Sequence, residues 1–214
     1  MTASEARQAR RSLPRRLLGR LRLIPVQIGY FQGPRLMSAL RKRWILFRNP
    51  HVDIQFGKYV YVGPGFSIHA PWGGTFIVDR GVEFRRGFRL ELDDGANVRI
   101  GADTRFTYDP VIQCGKQITI GERCMFGQAL MLVDGNHRFR DPSIPMLEQG
   151  YDLHPVTIGD DVTVMTKVTI MNDICDRAVI GANSVVTKPI PPFSVAFGAP
   201  ARVRDNFDPV AGTS

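Results

Sequence analysis

The chain has 214 residues, 43% of them hydrophobic, which suffices for one sizeable core and requires no second globular domain. Its formal net charge of +8 invites a nucleic-acid reading, but residues 1–50 carry twelve bases against Glu5 alone, a surplus of +11 that leaves −3 for the remainder, so the body is mildly acidic. Three cysteines, Cys114, Cys124 and Cys175, are odd in number and lack a CxxC spacing, which fits a reducing compartment better than a disulfide framework.

In the basic head, Leu13, Leu17, Leu18, Leu21 and Ile24 recur at nearly helical spacing among Arg15, Arg16, Arg20 and Arg22. They describe a short basic amphipathic helix, with Pro14 suited to its first turn. Three roles are open to it: peripheral contact with an anionic membrane, docking on the body or on a sister subunit, or a disordered arm. Arginines interrupt the apolar stretches here, against a secretory signal, and no run approaches the ~20 apolar residues needed to span a bilayer. Nucleic acid is the least expected partner, because Tyr30, Phe31, Trp44 and Phe47 sit apart from the densest bases.

From His51 a six-residue rhythm begins faintly, with Val60, Val62, Phe66 and Ile68, then Val78, Val82, Phe84, Phe88 and Leu90. Glycines 63, 65, 81, 87 and 95 mark corners, and these early coils read as broad and irregular. The signal sharpens at NVRIGAD from Asn97 and at QITIGERCMFG from Gln117, where Cys124 occupies a small inward position. It is clearest over residues 156–190: Val156, Val162, Val168 and Ile174 share one phase, and Ile158, Val164 and Ile170 another. Neither a helix nor a hairpin explains a period of six. Short parallel strands joined by tight corners do, each coil covering the apolar side of the next. Ile100-Gly101, Ile120-Gly121, Ile158-Gly159 and Ile180-Gly181 repeat one dipeptide. Between Ile174 and Ala178 the phase advances by four instead of six, so one coil is two residues short. The sixes stop after Val133 for DGNHRFRDPSIPMLEQGYDLHP, too long for a corner and therefore an excursion over the surface.

ITIGERCMFGQALMLVDGNHRF, the HPVTIGDDV restart, VIGANSVVTKPIPP and the closing GAPARV resemble the hexapeptide-repeat acyltransferases, in particular O-acetyltransferases acting on maltose, galactosides, nodulation factors and capsular polysaccharides. The resemblance covers residues 97–204 well and 51–96 loosely. It implies an all-β left-handed parallel β-helix at 51–204 with an active-site loop at 134–155. A basic, partly helical extension at 1–50 precedes it and a short tail at 205–214 follows. It also implies a homotrimer, acetyl-coenzyme A or another short acyl-coenzyme A as co-substrate, no metal, and a cytoplasmic enzyme, with the basic head allowing peripheral contact at the inner membrane.

The resemblance makes His137 the general base. An alcohol is a poor nucleophile at neutral pH, and a neutral imidazole, of reference pKa ~6.5, can take its proton as it attacks a thioester. Glu148 stands where relatives carry an acid near the histidine, to orient the imidazole or bind an acceptor hydroxyl, unless it is a solvated loop carboxylate. Asn136 and Asp134 flank the base and are candidates to orient it, while Gly135 replaces a further histidine of many relatives. His154 reads as structural, and His51 and His69 as surface residues. A three-histidine zinc site, as in the carbonic anhydrases that share this fold, does not match the spacing of His137 and His154.

Coenzyme A is expected along the later coils, against Thr163, Met165, Lys167, Ala182, Lys188 and Arg202, with Lys188, Arg202 and Arg204 near its phosphates. Thr163, Met165 and Lys167 replace the aromatic and small residues of relatives. The sugar-contacting asparagine and aspartate of maltose- and galactoside-type enzymes fall at Thr107 and Gly115. The expected activity is O-acyl transfer to a hydroxyl of a saccharide or glycoconjugate; the alternatives are N-acyl transfer to an amino sugar and a non-catalytic β-helix scaffold.

Overall fold

A computed structural model describes residues 33–208. The helix expected over residues 13–24 lies outside them. The chain divides into two units between Leu40 and Arg41. A helix not foreseen from the sequence spans Gly33–Arg48. Pro34 suits its first turn, and Pro50 disfavours continuation beyond Asn49, whose backbone amide and side-chain amide both donate to the Ile45 carbonyl, at 3.1 and 2.8 Å. From this helix Arg41 donates to the Val62 carbonyl at 3.1 Å and Lys42 to that of Val60 at 3.0 Å, while Ile45 enters the core. Among the described residues, no helix is long and apolar enough to cross a membrane.

The body is a stack of coils with three parallel sheets. The first face comprises Asp53–Phe56, Thr75–Val78, Asn97–Ile100, Gln117–Ile120 and Val156–Ile158. The second runs from Tyr61–Val62 through Glu83–Arg86, Arg105–Tyr108, Met125–Phe126, Thr163–Val164 and Val179–Ile180 to Ser194–Phe197. The third comprises Ser67–His69, Arg89–Leu92, Val111–Cys114, Met131–Val133, Thr169–Ile170 and Val185–Val186. Arg202–Asn206 returns antiparallel on Ser194–Phe197 and ends the second sheet. The expected stacking of apolar inward positions is therefore observed.

Two of the three edges are constant. On the first edge, between the first and second faces, left-handed backbone recurs coil after coil at Tyr59, Gly81, Asp103, Arg123, Asp161, Arg177 and Phe193. On the second edge it recurs at Gly65, Gly87, Asp109, Ala129, Lys167 and Asn183. Each non-glycine residue in these columns costs about 1 kcal/mol of backbone strain, offset by the ladder bonds the tight corner allows. Ile100-Gly101, Ile120-Gly121 and Ile158-Gly159 all sit at the first edge, where coils touch backbone to backbone: a Cβ at Gly101 would lie 2.6 Å from the carbonyl carbon of Gly121, and one at Gly121 would lie 2.6 Å from that of Gly159. Ile180-Gly181, although identical in sequence, lies at the second edge, where a Cβ would meet Phe197 at 2.7 Å.

The third edge, from the third face to the next first face, takes up all variation in coil length. Asp53 stacks on Thr75 and Thr75 on Asn97, 22 residues each; Asn97 stacks on Gln117, 20 residues on. Beyond the excursion the steps are 16, from Ile158 to Ile174 and from Ile174 to Ile190. The residues lost are therefore on the third edge, before Ile174 and before Ile190, and not between Ile174 and Ala178, which are spaced across the first edge like Ile158 and Val162; the loss affects two coils and reduces the first face to isolated bridges. Core volume follows the taper. One inward column of the second face reads Phe84, Phe106, Phe126, Val164, Ile180 and Ala196. Its rings stack at 5.4 and 4.7 Å between centroids in the wide coils, and aliphatic side chains fill the narrow ones.

Candidate active site

Where the sixes stop, the chain leaves the third edge as an antiparallel hairpin, Gly135–His137 against Tyr151–Leu153, with a short 3-10 turn at Met146–Glu148. Asp134 anchors it. This residue is 1% exposed, and its carboxylate accepts hydrogen bonds from the backbone amides of Gly115, Lys116 and Gln117 at 2.7, 2.7 and 2.8 Å. Its own carbonyl accepts from the His154 amide at 2.9 Å. Asp134 therefore does not orient the imidazole directly, as its position beside His137 suggested. Its oxygens are committed to the corner of the preceding coil, and the three charge-assisted bonds fix the hairpin to the body.

That corner is two residues shorter than the one before it. Leu92 and Asn97 bracket four residues, whereas their stacked partners Cys114 and Gln117 bracket only Gly115 and Lys116. The withdrawn corner leaves a notch between the longer corner at 93–96 and the hairpin. It forms a cleft of about 390 Å³, bounded by Glu91, Asp93, Gln113, Asn136, His137 and Tyr151 and floored by Cys114, Gly115 and Asp134. Gly115 keeps it open on the inner side, since a Cβ there would lie 2.6 Å from Leu153 and 3.2 Å from the Asp93 carboxylate.

His137 is exposed and pairs in register with Tyr151, their ring centroids 4.4 Å apart. The phenol face thus limits the swing of the imidazole at the mouth of the cleft. Across the hairpin, Arg138 bonds Asp152 at 2.6 Å, an exposed pair that adds little stability but sets the strand register. His154 faces elsewhere, its Nε2 3.0 Å from the Met171 carbonyl, in keeping with a structural role. Deep in the notch, burial and then the neighbouring Asp134 charge push the Cys114 thiol up, so it is a protonated donor to that carboxylate at 3.3 Å, not a nucleophile. Burial likewise raises Cys124, to about 11.

Of the residues expected from the sequence, His137 and Asn136 line the cleft, and Glu148 lies exposed on the 3-10 turn and does not. Thr163, Met165, Lys167 and Ala182 gather on the second face and second edge, with Arg202 paired to Phe197 at the end of the same sheet. Lys188 stands alone on the third edge, the edge that carries His137. Thr107 does not line the cleft, and its hydroxyl is buried without a hydrogen-bond partner among the described residues. The sequence reading missed Glu91, Asp93, Gln113 and Tyr151. The contraction from LDDGAN to CGKQ at equivalent corners is the signal that marks the notch. Among the described residues, no group of three or more His, Cys, Asp or Glu could hold a metal ion.

No protein-family model matches the chain. A probable acetyltransferase of Mycobacterium tuberculosis is 32% identical over 174 residues, covering 78% of this chain and 57% of the relative. A putative lipopolysaccharide biosynthesis O-acetyl transferase of Escherichia coli is 30% identical over 142 residues, 61% of this chain and 72% of the relative. A galactoside acetyltransferase solved in complex with coenzyme A superposes with a TM-score of 0.55 at 28% identity, covering 61% of this chain and 64% of the other. The chain spans little more than half the length of several curated relatives that it matches. The stacked coils, their left-handed β-helical architecture and the matched relatives agree with the resemblance carried by the repeat motifs: the chain belongs to the hexapeptide-repeat acyltransferases.

Proposed function

We propose that this chain transfers an acetyl group from acetyl-coenzyme A to a hydroxyl of a saccharide or glycoconjugate, with His137 as general base. The observation that carries the reading is His137 itself, held beside Tyr151 at the mouth of a polar cleft on a hairpin anchored by Asp134. A relative named for O-acetylation in lipopolysaccharide biosynthesis and a neighbour named for galactosides support a saccharide hydroxyl as acceptor.

In this mechanism the neutral imidazole takes the acceptor hydroxyl proton as the oxygen attacks the thioester carbonyl. The tetrahedral intermediate collapses, the carbon–sulfur bond breaks, and the imidazolium returns the proton to the departing thiolate. No covalent enzyme intermediate forms, and donors around the cleft stabilise the oxyanion. Asn136 is the side-chain donor of the cleft wall next to His137. Glu148, on the exposed turn, serves as an acceptor-side contact only across a junction with another copy.

The donor wall is formed by Thr163, Met165 and Ala182, whose short or flexible side chains fit a thin pantetheine arm, with Lys167, Lys188 and Arg202 as exposed cations for its phosphates. All but Lys188 lie across the third face from His137, a width of roughly 15 Å for a strand of four to five residues. That separation supports a homotrimer in which the donor wall of one copy faces the histidine of the next. The unpaired cysteines support a reducing, cytoplasmic setting, and the basic head supports peripheral membrane contact near a lipid-linked acceptor.

The test is acetyl transfer from acetyl-coenzyme A to matched alcohol and amine sugars. The alcohol is expected to be the better acceptor, and His137→Ala to lower kcat by about 10³-fold while leaving coenzyme A binding intact. Near-wild-type turnover in that variant rejects the assignment.

A further inference from the structure

We infer that Glu91, braced by Gln113, together with Asp93 forms an acceptor subsite that takes the hydroxyl or amino groups of a non-anionic sugar and rejects anionic ones. The inference rests on the acetyltransferase reading of His137 and specifies the substrate class of that site. Glu91 and Gln113 occupy stacked positions on the third face, two successive coils above the hairpin, and both point outward into the cleft. Gln113 donates its Nε2 to Glu91 at 2.6 Å. That bond restrains both side chains and leaves the second Glu91 oxygen and the Gln113 carbonyl oxygen as the acceptors that these two cleft residues offer.

Asp93 adds a second carboxylate from the long corner that overhangs the notch, beside Gly115. The third carboxylate of the cleft, Asp134, is spent on three backbone amides. No lysine or arginine is among the residues lining the cleft; the basic side chains nearest the two carboxylates are the imidazoles of His137 at the mouth and of His69, stacked on Glu91 one coil earlier. A wall of fixed acceptors pairs with vicinal O–H or N–H donors and repels a carboxylate or phosphate brought to the same place. This also explains how the chain manages without the sugar-binding pair expected at Thr107 and Gly115: equivalent chemistry comes from other positions, and the missing side chain at Gly115 is what makes room for it.

The test compares p-nitrophenyl β-D-glucoside, its 2-amino-2-deoxy analogue and p-nitrophenyl β-D-glucuronide as acceptors for the full chain with acetyl-coenzyme A, whose binding is measured separately by calorimetry. The expected result is a kcat/KM at least about tenfold lower for the glucuronide than for the glucoside. In Glu91→Gln/Asp93→Asn the two values are expected to converge to within about threefold, through the KM of the glucuronide and with the KM of acetyl-coenzyme A unchanged. Equal use of glucoside and glucuronide by the unaltered protein, or a preference that survives in the double variant, overturns the inference. Acetyl-coenzyme A binding without acetylation of any of the three also overturns it and leaves the broader reading standing. A folded chain that does not bind acetyl-coenzyme A rejects the reading on which the inference rests.

Discussion

The first and third edges of the same coil stack obey different rules. Along the first, every coil turns on a left-handed residue in the same place, and three Ile-Gly pairs let backbone touch backbone. Along the third, corners of four residues give way to one of two, then to a hairpin of some twenty, then to almost none. The difference separates two tasks. A closely stacked edge propagates the fold at constant length, and at Gly101 and Gly121 a side chain would collide with the backbone of the next coil. An edge free to vary in length can lose two residues to open a notch and then gain a hairpin that brings a histidine to its mouth.

Four predictions bear on that contrast. The largest effect belongs to the one point where the variable edge is fixed. Asp134→Ala removes a buried carboxylate from three part-buried amides and is expected to cost about 3 kcal/mol, or ~10 °C in Tm by calorimetry. It should also lower kcat more than the KM of acetyl-coenzyme A changes, because the hairpin carrying His137 is released. The same variant exposes a titration. Burial first, and then the Asp134 charge, keep Cys114 protonated and inert to alkylation well above neutral pH; Asp134→Ala removes the charge and, by releasing the hairpin, uncovers the thiol, so iodoacetamide labelling at pH 8 should rise. Cys124, pushed up to about 11 mainly by burial, should remain protected in the same sample, while exposed Cys175 reacts in both.

Smaller effects test the edges against each other. Gly121→Ala on the first edge is expected to cost about 2–3 kcal/mol, since its Cβ meets the backbone of the next coil at 2.6 Å. Gly95→Ala on the third edge has nothing within 4 Å of its Cβ and should lose only about 1 kcal/mol, from its positive φ. Equal losses would remove the distinction. Smallest is Arg123→Ala, which breaks the surface pairs of Arg123 with Glu122, Asp160 and Asp161 at the first edge. The bond from Arg123 holds the Asp161 carboxyl below its ordinary range, so its contribution is present above about pH 4 and lost as pH falls through the lowered value. The pairs are exposed, so the variant should shift Tm slightly, and less still in high salt.

Much of this was legible in the chain itself. The period of six required parallel coils because a single turn of chain cannot cover its own apolar face, and the break after Val133 marked His137 as lying on an excursion. The Ile-Gly pairs were read as equivalent, yet Ile180-Gly181 lies on a different edge from the other three. Asp134 stands three residues before the base in sequence, yet its carboxylate is bonded into the preceding corner, at Gly115 to Gln117.

The sequence by itself determined the stacking architecture and the presence of His137 on an excursion from it, because each is encoded by residues within a few positions of one another. Only the tertiary structure decided what meets that histidine. Glu91, Asp93 and Gln113 reach the cleft from earlier coils, and because the third edge absorbs each change in coil length while the strands stay in register, corner length decides which side chains border the notch. Which residues share the cleft is therefore fixed by coil length and by the buried anchor of Asp134, and local pattern carries neither.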